Sequence, residues 1–131
     1  MNIETTSISA SIPKARGKPK VKESTIQAAV IARLTLRGWA VVRMNSSTLA
    51  LNYKGKTRYL NAYTIIDTGK SAGFPDLLAM KDGKFITVET KTENGELSES
   101  QIEFEQYAKR KGIPFFVVRS GEEMDEVLKM L

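Results

Sequence analysis

The stretch that decides the fold is PDLLAMKDGKFITVETK, residues 75–91. It contains two short apolar runs, residues 77–80 and 85–88, with the dipeptide Asp82-Gly83 between them. An Asp-Gly pair between two apolar runs is a strong short-range signal for a two-residue β-hairpin turn. We therefore predict an antiparallel hairpin that turns at this dipeptide.

The predicted register brings two carboxylates together. With a two-residue loop, Leu78 faces Thr87 and Asp76 faces Glu89, on one face of the hairpin. Opposed carboxylates repel, because their Cβ atoms lie only about 4.5–5.5 Å apart. A divalent cation, which takes oxygen ligands, would offset this repulsion, and so would the amine of Lys91 on the same face. Alternatively, Asp76 caps the strand, Glu89 points into solvent and Lys91 pairs with one of them.

Composition narrows the chemistry further. The chain has 131 residues, of which 41% are hydrophobic and 27% charged, as expected of one globular domain. It has no cysteine and no histidine, which excludes disulfides, thiolate nucleophiles, histidine bases and zinc sites built on these residues. The formal net charge of +5 favours an anionic partner such as nucleic acid.

The remaining patterns predict an α/β domain with a mixed central sheet flanked by helices. A helix is expected over residues 22–37, ending at Gly38, and a strand over residues 39–44. A second hairpin should turn at Lys54-Gly55. Further segments are a strand over residues 58–66, a helix over 98–111, a strand over 115–118 and a helix over 122–131.

The chain divides into a tail and a domain. Residues 1–21 are rich in Ser, Thr, Pro, Gly and Lys, which predicts a flexible basic tail, and residues 22–131 form the domain. No apolar run is long enough to span a membrane, and no secretory signal is evident. The expected location is therefore the cytoplasm, or the host cytoplasm for a phage-encoded protein.

Two polar residues outside the first hairpin occupy inward stripes of predicted helices. Glu23 precedes Ile26 and Val30 at helical spacing, although an acid in a first turn also suits the helix dipole. Gln101 completes a Ser98-x-x-Gln101 capping box, which either accounts for it alone or coexists with a role at the site.

Taken in order, these residues resemble the PD-(D/E)xK nuclease superfamily, and more narrowly the virus-type replication-repair nuclease (VRR-NUC) domain. The literal matches are Pro75-Asp76 and Glu89-Thr90-Lys91. Supporting matches are the three segments Glu23–Gln27, Arg43–Ser46 and Gly95–Gln101. The resemblance covers residues 22–120 and implies a restriction-endonuclease-like core of αβββαβ order. At Thr90 the family usually has an aliphatic residue, and this side chain is expected to face away from the site.

The resemblance also implies roles. Asp76 and Glu89 would bind Mg²⁺ or Mn²⁺, with the Thr90 backbone carbonyl as a third ligand. Glu23 would act through water or a second metal ion. Lys91 would activate the attacking water or only stabilise charge, and Gln101 would support the site. Small stand-alone members are similar to Holliday-junction resolvases that act as homodimers.

The resulting hypothesis is a metal-dependent DNA endonuclease selective for branched DNA such as Holliday junctions, flaps or forks. The candidate DNA-binding residues are Arg33, Arg37, Arg43, Lys54, Lys56 and Arg58. One alternative is a catalytically inactive nucleic-acid-binding module of the same fold. Another is an interaction protein that binds a partner through its acidic C-terminal helices.

Overall fold

The computed structural model describes residues 21–44, 48–61, 65, 67–68 and 73–131. Their helices and strands are α1 (Glu23–Leu36), β1 (Ala40–Arg43), β2 (Thr48–Tyr53), β3 (Lys56–Asn61), β4 (Leu77–Lys81), β5 (Lys84–Thr90), α2 (Glu99–Lys111), β6 (Phe115–Val118) and α3 (Gly121–Lys129). The four-stranded sheet has the order β1-β4-β5-β6, and β2 and β3 form a separate two-stranded sheet. The β1–β4 and β4–β5 pairs are antiparallel, whereas β6 is parallel to β5, so the predicted mixed sheet is confirmed.

The decisive hairpin forms in the predicted register. Asp82 and Gly83 both have positive φ, 51° and 79°, as the two central residues of a type I′ turn require. Leu78 pairs with Thr87, and the last pair before the strand ends is Leu77 with Val88. Because side chains alternate along a strand, this register fixes which residues share a face.

The two faces of the sheet are covered by different helices. Leu77 and Val88 belong to the core cluster that also contains Ile26 and Leu34 of α1 and Met124 of α3. α1 and α3 therefore cover this face, which we call the α1 face. The opposite face is approached by α2, whose buried Phe104 packs against Phe74 and Phe115 at ring-centroid distances of 5.2 and 5.6 Å.

Several predicted boundaries shift by one or two residues. β5 extends to Thr90, two residues past the apolar run, because it pairs with β6 up to Val118. α3 begins at Gly121, directly after Ser120, whose side chain accepts a hydrogen bond from the backbone amide of Glu123. The hairpin at Lys54-Gly55 also forms, with positive φ at both residues.

Some predictions lie outside the described residues. They include the flexible tail, apart from its last residue, and much of the strand expected over residues 58–66. Across the described residues, none of the helices has the length and apolar character needed to cross a bilayer.

Candidate metal centre

Glu89 is the most unusual side chain of the described chain. It lies near the end of β5 and is only 1% exposed. Its Oε1 atom is buried without any hydrogen-bond partner. Burial in the first place, and the nearby negative charge of Asp76 in the second, raise the pKa of Glu89 from 4.5 to about 8. A buried carboxylate with an unpaired oxygen is costly unless a cation or a proton compensates it.

The other oxygen of Glu89 is held by α2. Gln101 Nε2 donates to Glu89 Oε2 at 2.8 Å, while Gln101 Oε1 accepts from the backbone amide of Ser98 at 2.8 Å. Ser98 Oγ in turn accepts from the Gln101 amide, which completes the capping box. Gln101 therefore both caps α2 and contacts Glu89.

Asp76 lies just before β4 and is fixed by Thr90. Its Oδ2 atom accepts from the backbone amide of Thr90 at 2.9 Å and from the Thr90 hydroxyl at 2.8 Å. The backbone carbonyl of Asp76 also accepts from the amide of Met44 at 3.0 Å, next to the end of β1. The Thr90 side chain leaves β5 on the face opposite to Glu89, the direction expected from the sequence, yet its hydroxyl still reaches Asp76 at the strand end.

Two further charges act on Glu89. Lys91 lies two residues beyond it and lowers its pKa, since a nearby ammonium favours the charged carboxylate. Glu23 has the opposite effect on this pKa, so it lies close enough to act by charge. The Glu23 side chain is nevertheless exposed in the first turn of α1, although its helical stripe also carries the buried Ile26 and Val30.

These residues fit a divalent cation of the hard, oxygen-seeking kind. The unpaired Glu89 Oε1 and the carboxylate of Asp76 are the donors that Mg²⁺ and Mn²⁺ prefer, and Mg²⁺ typically uses one or two carboxylates plus water. In the described part of the chain, no three His, Cys, Asp or Glu side chains lie together as a metal-binding group. The candidate centre therefore rests on two carboxylates, without Glu23 as a third direct ligand.

A close backbone approach sets the distance between this centre and α2. Gly73 has a φ of +88°, and a Cβ atom there would lie 2.1 Å from the backbone oxygen of Ser100. Only glycine allows the chain to pass this near to the first turn of α2. Two residues beyond Gly73 in the chain, the buried Pro75 leads directly into Asp76. The sequence does not predict the positive φ of Gly73. The only signal is that this glycine lies two residues before the Pro75-Asp76 pair.

Arg119 fixes the loop between β5 and α2, a role that the sequence does not predict. Its Nη1 atom donates to the backbone carbonyls of Thr92 at 2.7 Å, Gly95 at 2.6 Å and Glu93 at 3.3 Å. This loop connects Lys91 to the cap of α2, so Arg119 holds both ends of the site in relation to one another. An isolated arginine after a strand gives no sequence signal for such a role.

The predicted DNA-binding cations are distributed over several surfaces. Arg33 and Arg37 both form ion pairs with Asp125 of α3, and Arg33 also lies 3.7 Å from Glu122. Their charge is therefore partly balanced within the protein. Arg43 is exposed at the end of β1, where its Nε atom donates to Gln27 Oε1 at 2.8 Å.

The other three cations lie on the β2–β3 hairpin. Lys54 and Lys56 are exposed at its tip, and Arg58 follows in β3 opposite Leu51. Details of the Arg58 side chain lie outside the described residues. The predicted cations thus lie in three places, which are the contact with α3, the end of β1 and the β2–β3 hairpin.

Comparison with known proteins supports the resemblance found in the sequence. A solved structure described as a VRR_NUC domain matches with a TM-score of 0.56 and 24% identity, covering 82% of this chain and 94% of that one. At this identity, the match shows that the fold is shared. A comparison with curated proteins finds no match. The family profile of the VRR-NUC domain matches residues 21–122, and the chain therefore belongs to this nuclease-type family.

Proposed function

We propose that this protein is an endodeoxyribonuclease that hydrolyses phosphodiester bonds with Mg²⁺ or Mn²⁺. The observation that carries the proposal is the state of Glu89, a carboxylate 1% exposed with an oxygen that has no partner. A fold that needed only stability would pair this oxygen or replace it with an apolar group. Retaining it beside a second carboxylate is instead characteristic of a cation-binding site.

Asp76, Glu89 and the backbone carbonyl of Thr90 would hold the ion. The two carboxylates are presented by fixed partners, because Thr90 holds one oxygen of Asp76 and Gln101 holds one oxygen of Glu89. When bound, the ion would lower the pKa of a coordinated water and neutralise charge on the phosphate.

The absence of histidine leaves few groups to assist the attacking water. Lys91 is the cation nearest in sequence to the carboxylates, and its charge lowers the pKa of Glu89, which supports a role at the centre. It would either orient and deprotonate the water or remain protonated and stabilise the charge that develops on the phosphate. Glu23 would contribute through water or a second metal ion.

DNA would be held through its phosphates. The exposed Arg43 and the hairpin residues Lys54 and Lys56 suit backbone contacts, which position nucleic acid without reading its sequence. The structure-selective action on branched DNA, and the homodimer in which small junction resolvases act, follow from the resemblance to such enzymes. Both are parts of the proposed function.

A cleavage panel tests the proposal directly. Purified protein is incubated with a four-way junction, a flap, a fork and linear duplex, with and without Mn²⁺, alongside Asp76→Ala. We expect Mn²⁺-dependent cutting of branched DNA that the variant lacks, because Asp76 is a proposed metal ligand. Equal cutting by Asp76→Ala, or cutting without any divalent ion, would contradict the proposal.

The same panel distinguishes the alternative of an inactive binding module. Such a protein would bind the branched substrates at low salt but would cut none of them in any metal. All the polar residues that the family resemblance calls for are present, from Glu23 to Gln101, which favours the active enzyme.

A further inference from the structure

We propose that Arg43, Gln27 and Thr90 form a hydrogen-bonded relay that positions Asp76 and couples phosphate binding at Arg43 to cation binding at Asp76. In this relay Gln27 and Thr90 are positioning residues, since they act through Asp76. The inference rests on the proposed nuclease function and deepens it. It assigns a task to a threonine hydroxyl at a position where the family usually has an aliphatic side chain.

The relay consists of three consecutive hydrogen bonds. Arg43 Nε donates to Gln27 Oε1 at 2.8 Å, and Gln27 Nε2 donates to Thr90 Oγ1 at 3.3 Å. The Thr90 hydroxyl then donates to Asp76 Oδ2 at 2.8 Å. The relay thus begins at an exposed guanidinium on β1, passes through residues of α1 and the end of β5, and ends at a carboxylate of the candidate metal centre.

The chemistry of the end groups fixes the direction of every bond. A guanidinium has only donors, so the Gln27 oxygen must face Arg43 and its NH₂ group must face Thr90. The Thr90 oxygen accepts this bond, which leaves its single hydrogen for Asp76. An ionised Asp76 can only accept, so the relay is complete only in this one orientation. A hydrogen-bonded chain with a cation at one end and an anion at the other is strengthened by mutual polarisation.

The relay connects a buried contact with Asp76 to an arginine at the protein surface. Thr90 is fully buried, and its side chain lies on the α1 face, opposite to that of Glu89 on the same strand. Both its amide and its hydroxyl hold the same oxygen of Asp76, leaving Oδ1 outside these two bonds. At the other end, Arg43 donates to Gln27 through Nε, so its two terminal NH₂ groups are not part of the relay. A phosphate bound there would hold Arg43 and, through Gln27, Thr90.

Coupling between two sites is reciprocal. If bound DNA orders the relay and thereby favours cation binding at Asp76, bound cation must favour DNA binding by the same factor. Mn²⁺ and phosphate also attract each other directly, so the relay accounts for the part of the coupling that the Thr90 hydroxyl transmits.

The test uses Thr90→Val, which keeps the shape of the side chain and removes the hydroxyl. Thr90→Ser restores the hydroxyl and serves as the rescue variant. Thr87→Val is the matched control, because Thr87 is also on β5, is 2% exposed and donates its hydroxyl at 2.7 Å to the Pro114 carbonyl, which is not a candidate metal ligand. Mn²⁺ affinity of the full chain is measured by calorimetry, alone and with a short phosphorothioate duplex that resists cleavage. Thermal midpoints report on folding.

We expect Thr90→Val to weaken Mn²⁺ binding roughly tenfold and Thr90→Ser to recover most of it, as for other partners of metal ligands. Thr87→Val should bind Mn²⁺ like the wild type even where its thermal midpoint falls. In the wild type the duplex should tighten Mn²⁺ binding by at least about fivefold, and this factor should shrink in Thr90→Val. Gln27→Met should also reduce the factor by which the duplex tightens Mn²⁺ binding. In a protein that already carries Thr90→Val, Gln27→Met should not change this factor further.

Each contrary result has a distinct meaning. If Thr90→Val binds Mn²⁺ like the wild type with the same response to DNA, the relay is refuted while the nuclease proposal stands. If Thr87→Val is impaired as much as Thr90→Val, the threonine contributes only to structure and the relay is refuted. If the wild type shows no Mn²⁺ binding that depends on Asp76, the relay and the proposed function both fail.

Discussion

The two ends of the β4–β5 hairpin share strands and a face but differ in how they are held. At the turn end, Met80 and Phe85 are a cross-strand pair, 40% and 44% exposed, and line an open groove of about 720 Å³. At the other end, the buried Glu89 and the neighbouring Asp76 are polar and have partners from several elements. Local backbone geometry determines the turn end, whereas distant residues determine the site end.

The largest difference in stability between the two ends is expected when a glycine at each end is replaced by alanine. Gly73→Ala forces a Cβ against the backbone of Ser100, whereas a Cβ at Gly83 meets no atom within 4 Å. Both glycines have positive φ, so both substitutions introduce backbone strain of about 1–2 kcal/mol. We expect Gly73→Ala to lose about 3 kcal/mol or more in urea unfolding, because α2 must also move. Equal losses for the two variants would show that the approach of Gly73 to α2 is unimportant.

The next effect is spread over several pH units and concerns the dependence of stability on pH. The folded protein raises the pKa of Glu89 from 4.5 to about 8, so the folded state holds a proton that the unfolded state releases. Without metal, stability should therefore fall as pH rises from about 4.5 to 8, by up to about 1.4 kcal/mol per pH unit. Glu89→Gln should remove this decline and unfold at higher temperature than the wild type at pH 8.

Urea unfolding across this pH range, with EDTA present, measures the effect. Glu99→Gln, at an exposed glutamate in the first turn of α2, is the control that should retain the decline. A wild-type protein whose stability does not fall between pH 5 and 8 relative to Glu89→Gln would show that Glu89 ionises normally.

The smallest effect should come from the exposed pair at the turn end. Replacing Met80 and Phe85 together by threonine keeps strand propensity and removes one cross-strand contact. We expect a loss of about 1 kcal/mol or less and no change in Mn²⁺ affinity, measured by urea unfolding and calorimetry. A large loss of metal binding would show that the two ends of the hairpin are not independent.

The same contrast between local and distant interactions explains which features of the structure the sequence predicts. The Asp82-Gly83 turn, the register that it sets and the Ser98–Gln101 capping box all depend on residues close in the chain, and each forms as predicted. The family profile likewise agrees with motifs that are read directly from the sequence.

The remainder depends on packing between distant segments. Gln27 and Thr90 are 63 residues apart, and Arg33 and Asp125 are 92 apart. No periodicity or local motif indicates that α1 reaches the end of β5, or that α3 supplies the acid that pairs with two predicted DNA contacts. Glu23 shows the same limit, since its helical stripe predicts an inward direction and the structure leaves it exposed.

The central claim is that Glu89 is an inward-facing carboxylate which exchanges its proton for a metal ion. Calorimetry of Mn²⁺ binding at pH 7, repeated in buffers of different ionisation enthalpy, counts the protons released. With a pKa of about 8, Glu89 should release close to one proton for each Mn²⁺ bound, and Glu89→Gln should abolish this release along with most of the affinity. Mn²⁺ binding without proton release, or binding that is unchanged in Glu89→Gln, would contradict the account.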